Sequence, residues 1–545
     1  MSVLDQRRQV VEDLTGELQG EIRCDTLTTS MYATDASLHE VTPLGVAFPK
    51  TAEDVVTLAR YAREHRIPIV PRGAGTGLAG ESLGEGLIID FSRHMRAIVS
   101  SDDETVTVQP GVVCQQLNLF LAEKGRYFPP DPSGARITTL GSMLALDAAG
   151  SHAIRVGSTR DHVVSIDCVL TGGDAFTAGI ESLRQLLEPN QLFPPPRNRK
   201  QQILVGLRDL LSRHSGLIAE RQPPLLRNRF GYMLRGVLNN AELQLPRLLV
   251  GSEGTLALFT AAKLHTSVRP SEHGVVFLTF GQLETAARAV GAISELDPSA
   301  CDFMDRRLLS LAREANPLLH DMIPSWAEAG LLVEHTGADS AQVKARLQLI
   351  VDSVRNTVGN EFSTRLAQTP SEAAALRSLP ETVVPMLSRM AGPARPLPFI
   401  EDAAVPPEVL PELVLKLPGV FQKHRVTATM YAHAATGQLH LRPILPPPTP
   451  ESSAALLDLA ADFYDLILSA GGTVCGEHGA GYSRSMFLER QYGPLVEVFR
   501  DVKRLFDPDW LLNPGKVLST DPESATRHLR PESKPPESSE PVALQ

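Results

Sequence analysis

The tightest constraint on the fold is the stretch Pro71-Arg-Gly-Ala-Gly-Thr-Gly-Leu-Ala-Gly80, which holds four glycines in ten residues. Gly75, Gly77 and Gly80 spell G-x-G-x-x-G, the spacing of a dinucleotide turn that opens directly into a helix. The flanks exclude that turn. Ile67-Pro-Ile-Val70 before it reads as a short apolar strand, and Leu87-Ile-Ile-Asp-Phe91 after it reads as another. Gly84 and Gly86 stand between, which leaves no room for a helix of useful length. The loop therefore runs from strand to strand. Its amides, unhindered by Cβ atoms, suit an anion-binding nest, and Arg72 adds a fixed positive charge beside it.

A chain of 545 residues is long for one core, so two or more domains are expected. The anion is not a nucleic acid: 52 Lys and Arg against 63 Asp and Glu give a net charge of −11. Five cysteines (Cys24, Cys114, Cys168, Cys301 and Cys475) are scattered without a C-x-x-C pair. That spacing speaks against an iron–sulfur cluster and fits a reducing compartment. Met1 is not followed by an apolar leader, and no run of 18 apolar residues occurs. The sequence reads as a soluble, cytoplasmic protein, at most peripheral to a membrane.

Thr51-Ala-Glu-Asp54 has the pattern of a capping box before the helical run Val55, Leu58, Ala59, Ala62. Thr105 to Val108 alternates as a strand, Val113 to Leu121 is helical, and Phe128-Pro-Pro-Asp-Pro-Ser133 is a rigid loop. Thr138 to Gly150 is rich in small residues that let a backbone approach a ligand, and Val163 to Leu170 is a strand. Residues from about 181 to 230, with Phe193-Pro-Pro-Pro-Arg-Asn-Arg-Lys200 and Arg227-Asn-Arg229, read as an insertion with a solvated basic rim. A new α+β unit starts near Val275-Val-Phe-Leu-Thr-Phe280, and the Pro/Ser/Glu-rich tail after about 519 reads as disordered.

Val426 to His433 alternates as a strand and Gln438-Leu-His-Leu-Arg442 alternates again after Thr436-Gly437, so His433 and His440 flank one turn and can face one point. Gly476-Glu-His-Gly479 offers Glu477 and His478. Two His and one Glu with open positions suit Zn2+ or another divalent transition metal in a catalytic role. The residues alone equally allow two strand histidines bonded to backbone and a surface carboxylate.

PRGAGTGLAG, Gln109-Pro-Gly-Val112, Asp131-Pro-Ser133, TTLGSMLALDAAG, Gly251-Ser-Glu-Gly-Thr-Leu256, the histidine segments and Leu512-Asn-Pro-Gly-Lys516 occur in that order. Together they resemble the FAD-linked oxidases of the vanillyl-alcohol oxidase and p-cresol methylhydroxylase type, in the D-2-hydroxyacid dehydrogenase branch, over roughly residues 30 to 518. The resemblance implies an α+β fold: a two-subdomain FAD-binding domain over 1–268, an α+β substrate domain over 269–470, and a helical segment over 471–518 returning to the FAD domain, before a tail over 519–545. It implies FAD held by Pro71, Arg72, Gly73, Ala74, Gly75, Thr76, Gly77, Leu78 and Gly80, and by Pro110, Gly111, Pro132 and Ser133. Thr138, Gly141, Ser142, Ala145, Asp147, Ala148, Gly150 and Ile166 would line the adenine and ribose side, and Glu253, Gly254, Thr255 and Asn513 the ring system. Covalent relatives carry a histidine in the glycine loop; Ala74 and Thr76 stand there, so noncovalent FAD is expected.

The branch pattern H-x-G-D-G-N-L-H is answered by His433-Ala-Ala-Thr-Gly-Gln-Leu-His440, which keeps the ligand positions and departs at Ala435, Thr436 and Gln438. The resemblance makes His433, His440 and Glu477 metal ligands, with Zn2+ expected, and His478 the base. A metal on the hydroxyl and one carboxylate oxygen of a 2-hydroxy acid lowers the alcohol pKa while the C2 hydride passes to flavin N5. Arg377 and Arg395 are candidates for pairing with carboxylates. A lysine common before the aspartate of Phe399-Ile-Glu-Asp402 in D-2-hydroxyglutarate relatives is missing, which keeps D-lactate and glycolate beside D-2-hydroxyglutarate. The pattern is similar to the flavin half of long bacterial FAD/iron–sulfur dehydrogenases, so electrons are expected to pass to a separate iron–sulfur protein, an electron-transfer flavoprotein or a quinone. A glycolate oxidase-like subunit of a complex, a relay subunit without catalysis, and a non-redox enzyme of the ether-lipid synthase type are the alternatives; a homodimer stays open.

Overall fold

The glycine loop joins two strands that lie side by side. The computed structural model describes residues 2–186, 198–390, 393–447, 449 and 452–530. In it Ile69–Arg72 and Leu87–Asp90 pair in parallel, and residues 73–86, all described, contain no helix. Gly45–Phe48 pairs in parallel with Leu87–Asp90 on its other side, and Glu21–Arg23 closes this first sheet as an antiparallel edge. The helix Ala52–Glu64 carries the chain between strands and buries Val55, Leu58, Ala59 and Ala62, as its apolar spacing requires. Its capping box closes only halfway. Thr51 accepts from the Asp54 amide at 3.2 Å, but the Asp54 carboxylate is taken by the amides of Gln19, Gly20 and Lys50 at 2.8, 3.0 and 2.8 Å. The Asp54 carboxylate thus serves two long-range amides and that of Lys50 in place of the Thr51 amide, and the helix thereby anchors the chain before the first sheet.

A second, antiparallel sheet follows in the order Ile98–Ser101, Thr105–Val108, Leu258–His265, Val163–Val169, Ala175–Ala178. The helix Leu140–Leu146 beside it starts at Thr139, whose hydroxyl accepts from the Ser142 amide, and ends at Asp147 in the left-handed region (φ 55°). The insertion folds into the helices Arg199–Arg213 and Ser215–Arg221, the former packed on Leu495–Phe506. Phe193 to Arg197 of the expected basic rim lies outside the described residues. Arg227 and Arg229 contradict a solvated rim: they are 1% and 6% exposed.

From residue 272 onward an eight-stranded antiparallel sheet is built in the order Phe362–Leu366, Glu272–Phe280, Ala329–Gly337, Ala300–Asp305, Thr427–His433, Gln438–Leu445, Arg395–Pro396, with Ala403–Ala404 also on Gln438–Leu445. Period-two alternation divides its strands between two cores. Val276, Leu278, Leu331, Val333, Phe303, Ala432, Leu439 and Leu441 pack in one. Val275, Phe277, Leu332, Met304 and Tyr431 face the other. The second face is the one that positions the site, because His273, Asp302, Glu334, His433, His440 and Arg442 share its parity.

The expectation of a disordered tail from 519 holds for none of residues 519–530, which the structure orders. His39 bridges Leu529, the Glu40 amide donates to His528, the Arg530 amide donates to Leu38, and Ala525 is fully buried. Backbone pairing with an early segment outweighs the local composition; residues 531–545 lie outside the described region. All five cysteines are free and buried. Among the described residues no helix is long and apolar enough to cross a membrane.

Candidate functional site

A narrow cleft lies between the glycine loop and the 139–146 segment. Of the expected cofactor residues, Pro71, Arg72, Gly73, Gly75, Thr76, Gly77, Pro110, Gly141, Ser142, Ala145, Glu253 and Gly254 line it. Thr139 and Leu146 of the Thr138–Gly150 motif line it as well, and so do Glu81, Ser82, Phe91, Ala257 and Phe259, which no motif singled out. Among the described residues the backbone amides of 73–78 have no hydrogen-bond acceptor. That is the nest the glycines imply. A Cβ on Gly73 would sit 2.3 Å from the hydroxyls of Thr139 and Ser142, and one on Gly254 would sit 2.2 Å from Pro71 Cγ. Arg72 donates to the carbonyls of Tyr32 and Thr34 at 3.2 and 2.7 Å and lies over the Tyr32 ring, and its charge is felt by the part-buried Asp35 carboxylate nearby. Free amides, an arginine and hydroxyls in a slot too tight for Cβ atoms fit a pyrophosphate.

Leu78, Pro132, Ser133 and Gly150 line the adjoining cavity instead. Ala74, Gly80, Gly111, Thr138, Asp147, Ala148, Ile166, Thr255 and Asn513 line neither space. Several of these shape the cleft from behind. Gly80 (φ +79°) lets the loop close over the rings of His39 and Tyr482, and Gly111 fits against the Phe91 carbonyl. Asn513 donates to the carbonyls of Glu81 and Glu253 at 2.8 and 2.7 Å, tying two walls together. Thr255 is spent on Tyr232 and the Ser252 carbonyl, Thr138 meets the Thr76 hydroxyl at 3.4 Å, and Ala148 receives the Thr159 hydroxyl. Asp147 is fully buried between Arg160 and Arg229, so it is a structural ion pair.

The histidines meet in the cavity of about 460 Å³ next door. Tyr431 stands opposite His440 and Asp302 opposite His433 in the strand register, which brings these four side chains of the second face together. The Nε2 atoms of His433, His440 and His478 lie 3.7, 3.4 and 3.7 Å from one oxygen of Glu477. Donors bound at ~2.1 Å in a tetrahedral site stand about 3.4 Å apart, and His433, His440 and Glu477 offer donor atoms all within 4.8 Å of one another, a set that suits one divalent cation. Among the described residues two donor groups of that kind are present, His433–His440–Glu477 and Glu401–His440–His478, sharing His440. In the second, Glu401 is already spent: one oxygen holds His478 Nδ1 at 2.8 Å and the other receives Arg442 Nε at 3.0 Å. In the first, Asp302 holds His433 Nδ1 at 2.7 Å and so turns Nε2 toward Glu477.

The Glu477–His478 turn is fixed by Asp402, a fully buried residue in the left-handed region (φ 68°). Its carboxylate accepts from the amides of Glu477 and His478 at 3.0 and 2.7 Å, from the Gln438 side chain at 2.8 Å and from the Cys475 thiol at 3.0 Å. Burial disfavours charge on His433, but Asp302 and then Glu477 push it up to about 9. Burial likewise opposes charge on His478, and Asp402 and Glu401 push it up to about 9. His440, whose largest influence is burial, is lowered. Burial would raise the Glu477 carboxyl, yet Arg227 and the histidines hold it well below the usual range. Two imidazolium ions around one carboxylate are charge that a single divalent cation can replace.

Of the residues proposed for catalysis, His478 and Arg377 line the cavity. Arg395 does not. It is exposed at the sheet edge, where Arg395–Pro396 pairs with Ile444–Leu445, beyond the histidine turn. Arg136 and Arg442 line the cavity as well, and Arg442 stands two residues past His440 and therefore on the same face of the strand. Asp302, Glu401, Asp402 and Tyr431 were the other unread parts. Of these, Glu401 and Asp402 lie in the Phe399–Asp402 segment and Tyr431 in the Val426–His433 strand, whereas Asp302 lies in no segment the sequence singled out.

The chain matches two family profiles: "FAD binding domain" over residues 43–179 and "FAD linked oxidases, C-terminal domain" over residues 269–517. A D-2-hydroxyglutarate dehydrogenase of Pantoea ananatis is 33% identical over 516 residues, covering 89% of this chain and 49% of that protein. This chain thus spans about half the length of that relative. The glycolate oxidase subunit GlcD of Bacillus subtilis is 26% identical, covering 90% of this chain and 92% of its own. The structure of an alkyldihydroxyacetonephosphate synthase superposes with a TM-score of 0.63 at 18% identity, covering 93% of this chain and 85% of its own. At that identity the likeness shows the fold alone.

Proposed function

Because the chain belongs to the FAD-linked oxidases, we propose that it is an FAD-dependent dehydrogenase of D-2-hydroxy acids. D-2-hydroxyglutarate and D-lactate are the leading substrates. FAD sits noncovalently in the cleft of residues 71–82 and 139–146, and one divalent cation, Zn2+ being suited, sits on His433, His440 and Glu477. The observation that carries the reading is the convergence of three imidazole Nε2 atoms on one Glu477 oxygen, in a cavity also lined by Leu78, Pro132, Ser133 and Gly150 of the cofactor segments. When bound, FAD supplies a two-electron acceptor and the cation supplies a Lewis acid for the hydroxyl.

The chain's own residues do the rest. Arg377 offers a guanidinium to a substrate carboxylate, its Nε bonded only to the Ala373 carbonyl at 3.4 Å. His478 is the most exposed of the three imidazoles, at 25% against 8% and 11%, and faces the cavity as the proton acceptor. Glu401 fixes its Nδ1, so Nε2 is the atom that takes the hydroxyl proton. A group at about 9 is protonated at neutral pH, and a nearby divalent charge favours the neutral form that a base requires. The apolar side chains of Leu78, Leu308 and Leu387 narrow access for water. Electrons leave to an external acceptor.

The test is anaerobic addition of D- and L-2-hydroxy acids while flavin absorbance is recorded. Bleaching by D-lactate or D-2-hydroxyglutarate and not by their L forms is expected. A flavin inert to every hydroxy acid would sink the dehydrogenase reading and favour a relay subunit.

A further inference from the structure

Arg227 belongs to the segment whose sequence suggests only a solvated basic rim, yet its side chain is 1% exposed and ends inside the site. Nη1 donates to Glu477 Oε2 at 3.0 Å and Nη2 donates to the Gly150 carbonyl at 2.6 Å. Glu477 therefore spends one oxygen on the guanidinium and turns the other, Oε1, to the three imidazoles. Gly150 closes the small-residue segment whose earlier part walls the cleft, and a Cβ there would sit 2.0 Å from the Asp131 carbonyl. One planar fork thus joins the end of the cofactor segment to the carboxylate of the donor set. The neighbouring residues lock it in place. The Arg229 amide donates to the Cys475 carbonyl at 3.0 Å, and the Asn228 side chain receives the hydroxyls of Thr473 and Tyr492 at 3.0 and 3.2 Å.

We propose that Arg227 is a positioning residue that restricts Glu477 to one ligating oxygen, leaving coordination positions on the cation for the hydroxyl and carboxylate oxygens of a 2-hydroxy acid. The inference rests on the cation of the proposed function. Its physical content is a trade between ion affinity and substrate access. A carboxylate freed from a guanidinium offers a cation two oxygens, and removing a neighbouring positive charge also favours the ion. Loss of Arg227 therefore tightens the ion and blocks the substrate. An arginine that merely supports the fold would do the opposite, loosening the ion as the donor set drifts apart.

The experiment compares flavin-loaded wild type, Arg227→Met and Arg227→Lys. Zn2+ affinity is measured by competition with a chromophoric chelator, and turnover with D-2-hydroxyglutarate and a dye acceptor. In Arg227→Met, Zn2+ affinity should rise or hold, flavin content should stay at wild-type level, and kcat/KM should fall by about 10- to 100-fold, mostly through KM. Arg227→Lys keeps the charge and can reach Glu477, but one ammonium cannot present the planar fork. It should return Zn2+ affinity toward wild type and recover part of the loss. Zn2+ affinity falling in step with activity in Arg227→Met overturns the proposal, and so does unchanged turnover. If Arg227→Met does not fold, Arg227→Lys carries the test: weaker Zn2+ binding than wild type together with lower turnover overturns it. Wild-type protein that takes up no Zn2+ overturns the proposed cation and this inference together, whereas a failure confined to the variants overturns this inference alone.

Discussion

The proposed flavin cleft is walled largely by backbone, and at Gly73 and Gly254 one added carbon would meet another atom at 2.3 and 2.2 Å. The cavity beside it is walled by side chains: three imidazoles on one carboxylate, each backed by a second carboxylate or an aromatic ring. The first recognises by absence of bulk and by free amides from one continuous loop. The second recognises by charge gathered from strands and turns far apart in sequence, Asp302, Glu401, His433, His440 and Glu477. Different materials mean the two spaces should fail independently.

The largest expected effect is on the side-chain half. His440→Ala removes a donor shared by both candidate ion groups. Reduction of flavin by D-2-hydroxyglutarate should fall by about a thousandfold or more, the several kcal/mol a Lewis acid supplies. Flavin content after gel filtration should be unchanged. Loss of flavin from this variant would break the independence of the two spaces.

The reciprocal change is Gly73→Ala. Overpacking of this kind costs about 1–3 kcal/mol, so FAD should dissociate roughly five- to a hundredfold more readily, read by fluorescence on dilution. Zn2+ uptake should stay at wild-type level, since no donor touches residue 73. The attachment of the cofactor can be read on the same samples. With Ala74 and Thr76 in the loop, acid precipitation should release all the yellow colour into the supernatant, and colour in the washed pellet would contradict noncovalent FAD.

The same contrast explains what was legible. The cleft was readable because glycine patterns are local: Gly73, Gly75, Gly77, Gly141 and Gly254 all line it or shape it. The strand at 69–72 was readable from a short apolar run and those at 427–433 and 438–445 from alternation, and with them the meeting of His433 and His440. What carries the ion group from behind was not. Asp302 joins through strand register, Arg227 through a buried reach of 250 residues to Glu477, and neither has a local signature. Asp147 and Arg229 lay in or near flagged segments, yet their charges cancel each other inside the core. Composition misled most at the ends of elements: charge runs suggested surface where Arg227 is buried, and a Pro/Ser/Glu-rich tail concealed backbone pairing by residues 528–530.

The smallest expected effects separate two arginines that looked alike in sequence. Arg377 lines the cavity with its guanidinium committed only to a carbonyl of its own helix, so it is available to a carboxylate. Its loss in Arg377→Ala should cost about 1.5–3 kcal/mol, roughly ten- to a hundredfold in kcat/KM, the worth of one charge-assisted contact. Arg395 is exposed on an edge strand paired with Ile444 and Leu445 and meets no part of the cavity. Arg395→Ala should change kcat/KM by less than about twofold on either D-lactate or D-2-hydroxyglutarate, as surface substitutions do. The comparison of the two substrates carries the information. If Arg377 serves the C1 carboxylate, both substrates lose equally in Arg377→Ala. If it serves a distal carboxylate, D-2-hydroxyglutarate loses the larger factor and D-lactate keeps most of its rate. A selective loss of D-2-hydroxyglutarate turnover in Arg395→Ala would instead require the 395–396 edge to fold inward over the cavity, and would overturn its placement outside the site.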